Sequence, residues 1–374
     1  MIPYGKQSID DEDIHSVVSA LKGEFLTTGP LVAEFEKQIG EYVGSNALVV
    51  SSGTAALHCA FKAIDLKEGD EIITTPITFV ATQATAVNLG AIPRFADVEE
   101  KTGNIDVNQI KQLINSKTRA IVAVDYAGHP CDIEEINKIA KQHNLFFIED
   151  AAHSLGSRYK GQRIGSQADL TTFSFFPTKN ITTGEGGAIT SNNIDLLNRA
   201  REFSRQGLIR SPERFRLIED GPWHQEVHEF GLNYRLPDVL CSLGISQIKK
   251  IEKFKKKRLE IWKMYERYLS GVSGVQTPTV NIDVDPMWHL YPIKVPQEKR
   301  KDVFNRLRKS GIMVQVNYIP AYWHPAFQKF GYQKGLCPVS EKFYSQEISL
   351  PMFTELNEQD IKYISESLIN SMRI

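Results

Sequence analysis

The chain has 374 residues, 41% hydrophobic and 24% charged, the make-up of an ordinary globular protein with room for about two domains. Lys+Arg 44 against Asp+Glu 45 leaves a net charge of −1, which speaks against a nucleic-acid or membrane-surface binder. The amino terminus, MIPYGKQSIDDED, turns acidic without an apolar core and does not read as a signal peptide; no apolar run approaches a membrane span; and the cysteines (Cys59, Cys131, Cys241, Cys337) form no CxxC pair, so reduced thiols in the cytoplasm are expected.

In chain order, Ile14, Val17, Val18 and Leu21 form a helical stripe whose first turn, Asp10–Asp13, carries the acidic residues that suit a helix amino terminus. From Asn46 to about Thr190 strands and helices alternate. Strands are expected at Ala47–Val50, Glu71–Thr74, Ile92–Ala96, Ala120–Val124 and Leu145–Ile148, and helices at Gly53–Ile64, Phe79–Asn88, Val107–Ile114 and Ile133–His143. Apolar strands that alternate with helices predict an α/β fold with a mainly parallel sheet covered on both faces. Beyond about Leu243 the character changes. A long charged helix, Ile245–Leu269, leads to a strand at His289–Val295, a helix at Lys301–Lys309, a strand at Met313–Tyr318 and a last helix from Glu358. The expected division is a large α/β domain over residues 1–245 and a smaller C-terminal α+β domain over 246–374. The basic run Lys253–Arg258 reads as a solvated helix face. His224 and His228, four apart with no third ligand nearby, read as surface or loop histidines, so no metal site is expected.

The most informative segment is Leu170–Ile189, LTTFSFFPTKNITTGEGGAI, where only Lys179 and Glu185 carry charge. A lone ammonium among Phe173, Phe175, Phe176, Pro177 and Ile181 is poorly solvated, and desolvation favours the free amine. Such an amine is a nucleophile for carbonyl carbon, used above all in Schiff-base chemistry. The plainer alternative is a loop lysine that reaches out to water. Three other features fall where ligands bind in open parallel sheets, beyond the carboxyl ends of strands. Ser51-Ser52-Gly53-Thr54 opens a helix with backbone N–H groups suited to a phosphate, or merely caps it. Asp150, in FFIEDAAH, is placed to hold a pyridinium nitrogen protonated, with His153 near the same ligand, or is itself a helix cap. Phe79, in TPITFVAT, is placed to stack on a flat ring or to pack in the core. Phosphate site, stacking aromatic, ring carboxylate and Schiff-base lysine together describe a pyridoxal phosphate enzyme. A nucleotide- or NAD-dependent α/β enzyme is the competing class, but no GxGxxG occurs and Lys179 would then have no role.

The segments SSGTAAL, TPITFVAT, IEDAAHSLGSRYKG, FSFFPTKNITTGEGGAI and FGLNYRLPDVLCSLGISQIKK resemble the sugar-nucleotide aminotransferases of the DegT/DnrJ type over nearly the whole chain. The resemblance implies a fold-type I pyridoxal phosphate enzyme with a seven-stranded, mainly parallel sheet. It makes Lys179 the Schiff-base lysine, Asp150 the partner of the pyridine nitrogen, His153 the contact to the ring hydroxyl and Phe79 the stacked aromatic. Gly53, Thr54 and Ser174 become phosphate contacts. Asn233 becomes an asparagine that reaches the phosphate of the neighbouring subunit, hence a homodimer with shared sites. Some relatives carry histidine in place of the lysine and are dehydratases; Lys179 favours transamination. The stretches EIITTPITFVAT, TGNID and AIVAVDYAG are similar in particular to the aminotransferases of pseudaminic acid biosynthesis. That likeness implies L-glutamate as donor and a UDP-linked 4-keto-6-deoxy-N-acetylhexosamine as acceptor, giving UDP-4-amino-4,6-dideoxy-N-acetyl-β-L-altrosamine; another UDP- or TDP-linked keto sugar is the alternative. Arg205-Gln206-Gly207 departs from relatives with His before the Gly, and the loop Leu208–His228 that follows is long. Tyr318 and His324, in QVNYIPAYWHP, match a substrate-side segment, with ordinary packing at a turn as the alternative. A pyridoxal-binding regulator without turnover need not keep Lys179, Asp150 and His153 together.

Overall fold

The structure, a computed structural model, describes residues 1–373. Its centre is a seven-stranded sheet. The strands are β1 (Asn46–Val50), β2 (Glu71–Thr74), β3 (Ile92–Phe95), β4 (Thr118–Val124), β5 (Phe146–Asp150), β6 (Leu170–Ser174) and β7 (Gly187–Ser191). They lie in the order β1-β7-β6-β5-β4-β2-β3. Strands β3, β2, β4, β5 and β6 run parallel, while β7 is antiparallel to both its neighbours. The mainly parallel sheet expected from the apolar strands is therefore present. Both faces are covered. On one, Ile121, Ala123 and Phe147 pack against α2 (Pro30–Val43) and, further along the chain, Ile133–His143. On the other, Val122, Ile148 and Leu170 pack against α3 (Gly53–Ala63). The remaining helices of this half are α1 (Asp11–Leu21), α4 (Ala81–Asn88), α5 (Val107–Leu113), α6 (Ile133–His143) and α7 (Ile194–Phe203). Helix α2 was not anticipated, although its signals are present: Pro30 at the first turn, Gly44 at φ +77° past the end, and Phe35, Ile39 and Val43 on one buried face.

The long charged helix is two helices, α8 (Asp238–Ile248) and α9 (Ile251–Leu269). Within the second, the run Lys253–Arg258 is not simply a solvated face. Phe254 and Arg258 are buried, and the Arg258 guanidinium donates to the carbonyls of Trp288 and Met352 at 2.9 and 3.2 Å. Only the lysines of the run meet water, because a helical period of 3.6 turns every fourth residue inward. A further core holds Ile261, Tyr265, Tyr291, Ile293, Leu307, Ile348 and Leu368. It joins α9 to β8 (Tyr291–Lys294), α10 (Gln297–Lys309), β9 (Glu347–Leu350) and α12 (Glu358–Met372), while Phe343 of α11 (Pro338–Gln346) packs with Tyr126 and Leu290. The strand expected at Met313–Tyr318 is absent. Gln315 forms one isolated bridge to Ser349, and β9 occupies the ladder beside β8 in its place. Ile312 and Val314 are buried side chains of an irregular segment, so the apolar alternation there marks core contact without ladder pairing.

Candidate active site

Strand ends bring Asp150, Lys179, His153 and Tyr318 together. Asp150 is the last residue of β5 and is buried. Its carboxylate accepts the Thr82 hydroxyl at 2.7 Å and the Ala152 N–H at 3.2 Å. Burial raises its pKa, opposed by these donors and by the charge of Lys179. Lys179 sits in the turn after β6, its N–H bonded to the Phe176 carbonyl at 2.9 Å. It keeps partial contact with solvent, but the surrounding protein desolvates the ammonium and pulls it down to about 8, against the attraction of Asp150. Of the two readings of Lys179, a desolvated amine describes it better than a solvated loop cation.

His153 is buried in the turn that follows β5. Its Nε2 lies 3.3 Å from the Tyr318 hydroxyl, and its ring packs on His289 with centroids 4.3 Å apart. Burial holds both imidazoles well below the ordinary histidine range, so both are neutral. The Asn180 amide donates to the carbonyls of His153 and Leu155 at 2.8 and 3.1 Å, which ties the Lys179 turn to the His153 turn. Gly128, at φ +90°, lets the loop after β4 into the same place; a Cβ there would meet the His153 carbonyl oxygen at 2.9 Å and that of Met287 at 2.7 Å.

Ser52 caps α3 by accepting the Ala55 N–H at 3.0 Å. That leaves the N–H groups of Gly53 and Thr54, which have no partner within the helix, open at its positive end. A Cβ on Gly53 would lie 2.8 Å from the Ser174 Cβ, so glycine is what allows this close approach. Phe79 lies in the turn before α4 and is 59% exposed, so it is not a core residue; its ring centroid is 6.3 Å from that of Tyr318. Tyr318 is half-buried, and burial and Asp150 push its phenol up. Asn233 is exposed, on a segment zipped along β1: the Ser51 N–H donates to the Tyr234 carbonyl at 2.8 Å and Arg235 bridges Val50. His324 follows a short turn whose Ala321 N–H bonds the Pro76 carbonyl at 2.9 Å, beside the loop of Phe79. Among the described residues no hydrogen bond joins Thr54, Asn233 or His324 side chains to the Lys179 group. His224 and His228 flank the buried Glu226 at 3.2 and 2.5 Å, within the loop rather than loose on the surface.

Thr82, Asn180 and His289 were missed by the sequence analysis. Thr82 and Asn180 lie within motifs already singled out, one helical turn from Phe79 and next to Lys179; His289 carries no sequence signal, since only the third dimension stacks it on His153.

The arrangement fits pyridoxal phosphate. A phosphate fits the glycine-opened start of α3, a ring hydroxyl fits the buried Nδ1 of His153, which has no partner among the described residues, and an aldehyde fits the depressed amine. The comparisons with known proteins agree. The model of the DegT/DnrJ/EryC1/StrS aminotransferase family matches residues 7–369. A Campylobacter jejuni protein named UDP-4-amino-4,6-dideoxy-N-acetyl-beta-L-altrosamine transaminase is 38% identical over 377 residues, covering 99% of this chain and 97% of its own. Helicobacter pylori PseC, an aminotransferase of pseudaminic acid biosynthesis, superposes with a TM-score of 0.92 at 34% identity over 99% of both chains. The sugar aminotransferase Spr1654 of Streptococcus pneumoniae, described as putative and solved with its cofactor in the PMP form, superposes with a TM-score of 0.94 at 27% identity over 100% of this chain and 99% of its own. With a family model spanning almost all of its length and relatives aligned end to end, this chain belongs to the pyridoxal phosphate-dependent DegT/DnrJ/EryC1/StrS aminotransferase family.

Proposed function

We propose that this protein transfers an amino group from L-glutamate to the fourth carbon of a UDP-linked 4-keto-6-deoxy-N-acetylhexosamine, giving UDP-4-amino-4,6-dideoxy-N-acetyl-β-L-altrosamine. The observation that carries the reaction type is the desolvated Lys179 amine, held electrostatically by Asp150 from a neighbouring strand end. The sugar is supported by the names of the Campylobacter and Helicobacter relatives. Pyridoxal phosphate, when bound, supplies an electron sink for the carbanion formed at the reacting carbon. Asp150 keeps the ring nitrogen protonated. Neutral His153 offers Nδ1 to the ring hydroxyl. Gly53, Thr54 and Ser174 hold the phosphate, and Phe79 covers the ring face. Lys179 would hold the cofactor through its aldehyde and supply the base for the proton at the substrate carbon. Tyr318 and His324 lie on the sugar side. Supplying glutamate and the UDP-linked 4-ketose to the cofactor-loaded protein should yield the 4-amino sugar; recovery of unchanged ketose would remove this reading.

The protein acts as a homodimer in the cytoplasm, with a large domain over 1–245 and a small domain over 246–374. Two features support the dimer. The apolar stripe of α1 does not face the protein's own core, with Ile14 and Leu21 exposed and Phe25 and Leu26 continuing it. Phe230, 93% exposed, stands three residues before Asn233. Large apolar patches of this kind mark interfaces. No helix among the described residues is long and apolar enough to cross a membrane. Mixing Lys179→Ala chains with Asn233→Ala chains should partly restore activity, since one site of the heterodimer then keeps both residues. Exchanged heterodimers as inactive as their parents would exclude site sharing.

A further inference from the structure

Behind Asp150, on the opposite face of the same strands, lies a pair of carboxylates. Along β5 side chains alternate: Phe147 and Ala151 enter one core and Ile148 the other, so Glu149 and Asp150 point to opposite faces. Glu149 and Asp125, the residue after β4, are both 0% exposed. Their carboxylate oxygens and the Cys131 sulfur lie within 4.8 Å of one another. Asp125 accepts the Ser154 hydroxyl at 2.5 Å and the Cys131 N–H at 2.9 Å. Glu149 accepts the Thr171 hydroxyl at 2.9 Å on Oε2, and its Oε1 has no partner among the described residues.

We propose that Asp125 and Glu149 share one proton and act as a positioning pair for Asp150, fixing the strand ends that carry the site and leaving a single negative charge behind it. Two ionised carboxylates this close, both 0% exposed, repel too strongly to coexist, and one of them must hold a proton. The bare Oε1 places that proton on Glu149, next to the Asp125 carboxylate, whose oxygens already accept from Ser154 and Cys131. Burial and the charge of Asp150 push Asp125 up to about 6, and burial and the charges of Asp125 and Asp150 push Glu149 well up, so at neutral pH Asp125 is the ionised member. The titratable groups acting on the pair are Asp150 across the sheet and the Cys131 thiol, itself raised by burial and by both carboxylates. The ties reach three segments of the site. Ser154 belongs to the His153 turn, Cys131 to the loop of Gly128, and Thr171 to β6, which ends at Ser174. Glu149 and Asp125 touch no reacting atom. They act through Asp150, whose cationic ring partner is stabilised by a second negative charge nearby.

The pair is tested with two isosteric variants of the cofactor-loaded protein. Infrared difference spectra of parent minus variant at neutral pH should show the carbonyl stretch of a protonated buried carboxyl for Glu149→Gln and none for Asp125→Asn, the subtraction removing the stretch of Glu347, which burial pushes up to about 8. Glu149→Gln preserves the charge, so the pH midpoint of the cofactor absorbance should stay in place. Asp125→Asn leaves Glu149 protonated and removes the charge, so the midpoint should fall by about one unit. A missing carboxyl band, a stoichiometric divalent metal in the purified protein, or an unshifted midpoint in folded Asp125→Asn would overturn the proposal. The infrared result stands without the cofactor, so it separates failure of the pair from failure of the assignment of Asp150 to the ring nitrogen. Should Asp125→Asn not fold, the band in Glu149→Gln still decides the shared proton.

Discussion

Lys179→Ala should lower turnover by roughly 10⁴-fold and abolish the yellow colour that glutamate bleaches in the parent protein. In the proposed mechanism two roles are lost with one side chain: the nucleophile for the cofactor aldehyde and the base for the proton at the substrate carbon. The neighbourhood that makes this lysine special also sets its pH response. Desolvation outweighs the attraction of Asp150 and leaves the ammonium at about 8. A lysine lowered in the fold loses its proton as pH rises through that value, so the free amine grows through about pH 8 and levels off above it. Capture of pyridoxal phosphate by the cofactor-free protein should follow the same curve. A rate that continues to climb toward the ordinary lysine range would show that the amine is solvated. Undiminished turnover in Lys179→Ala would remove the lysine from the chemistry altogether.

Asp150→Asn should cost roughly 10²- to 10³-fold in turnover, of the order seen when one preorganised electrostatic contact is removed. The change is nearly isosteric, and the Thr82 hydroxyl at 2.7 Å still finds an amide oxygen to donate to. What disappears is the negative charge that we propose keeps a ring nitrogen protonated. Fold and cofactor content should persist, so the loss should appear in kcat with little change in KM for the sugar. A variant that loses the cofactor outright would place Asp150 in cofactor retention instead.

The sequence carried the chemistry further than the architecture. Lys179 stood out because its segment lacks other charge, and Asp150 because a carboxylate directly follows an apolar strand; both signals are local. The alternation of apolar strands and helices marked β1 through β5 for the same reason. Where pairing partners are remote the reading failed. The choice between Gln315 and Glu347–Leu350 as the neighbour of β8 depends on which segment reaches the ladder, and both are apolar enough. Arg258 looked solvated because its neighbours are lysines, while its buried bonds to two carbonyls distant in sequence leave no local trace. His289 against His153 and Asp125 against Glu149 are likewise long-range meetings, legible only once the strands are in order.

The central claim is the acceptor. The UDP group lies far from the ketone and supplies binding energy that positions it, so its removal should lower the rate as well as the affinity. The measurement is the rate of amination, with glutamate as donor, of the UDP-linked β-L-arabino 4-ketose beside its D-xylo epimer and a TDP-linked 4-ketose. The account predicts that the β-L-arabino compound is aminated fastest, with the UDP-linked 4-amino-4,6-dideoxy sugar as product and 2-oxoglutarate released in equal amount. A clear preference for the D-xylo epimer or the TDP sugar would contradict it.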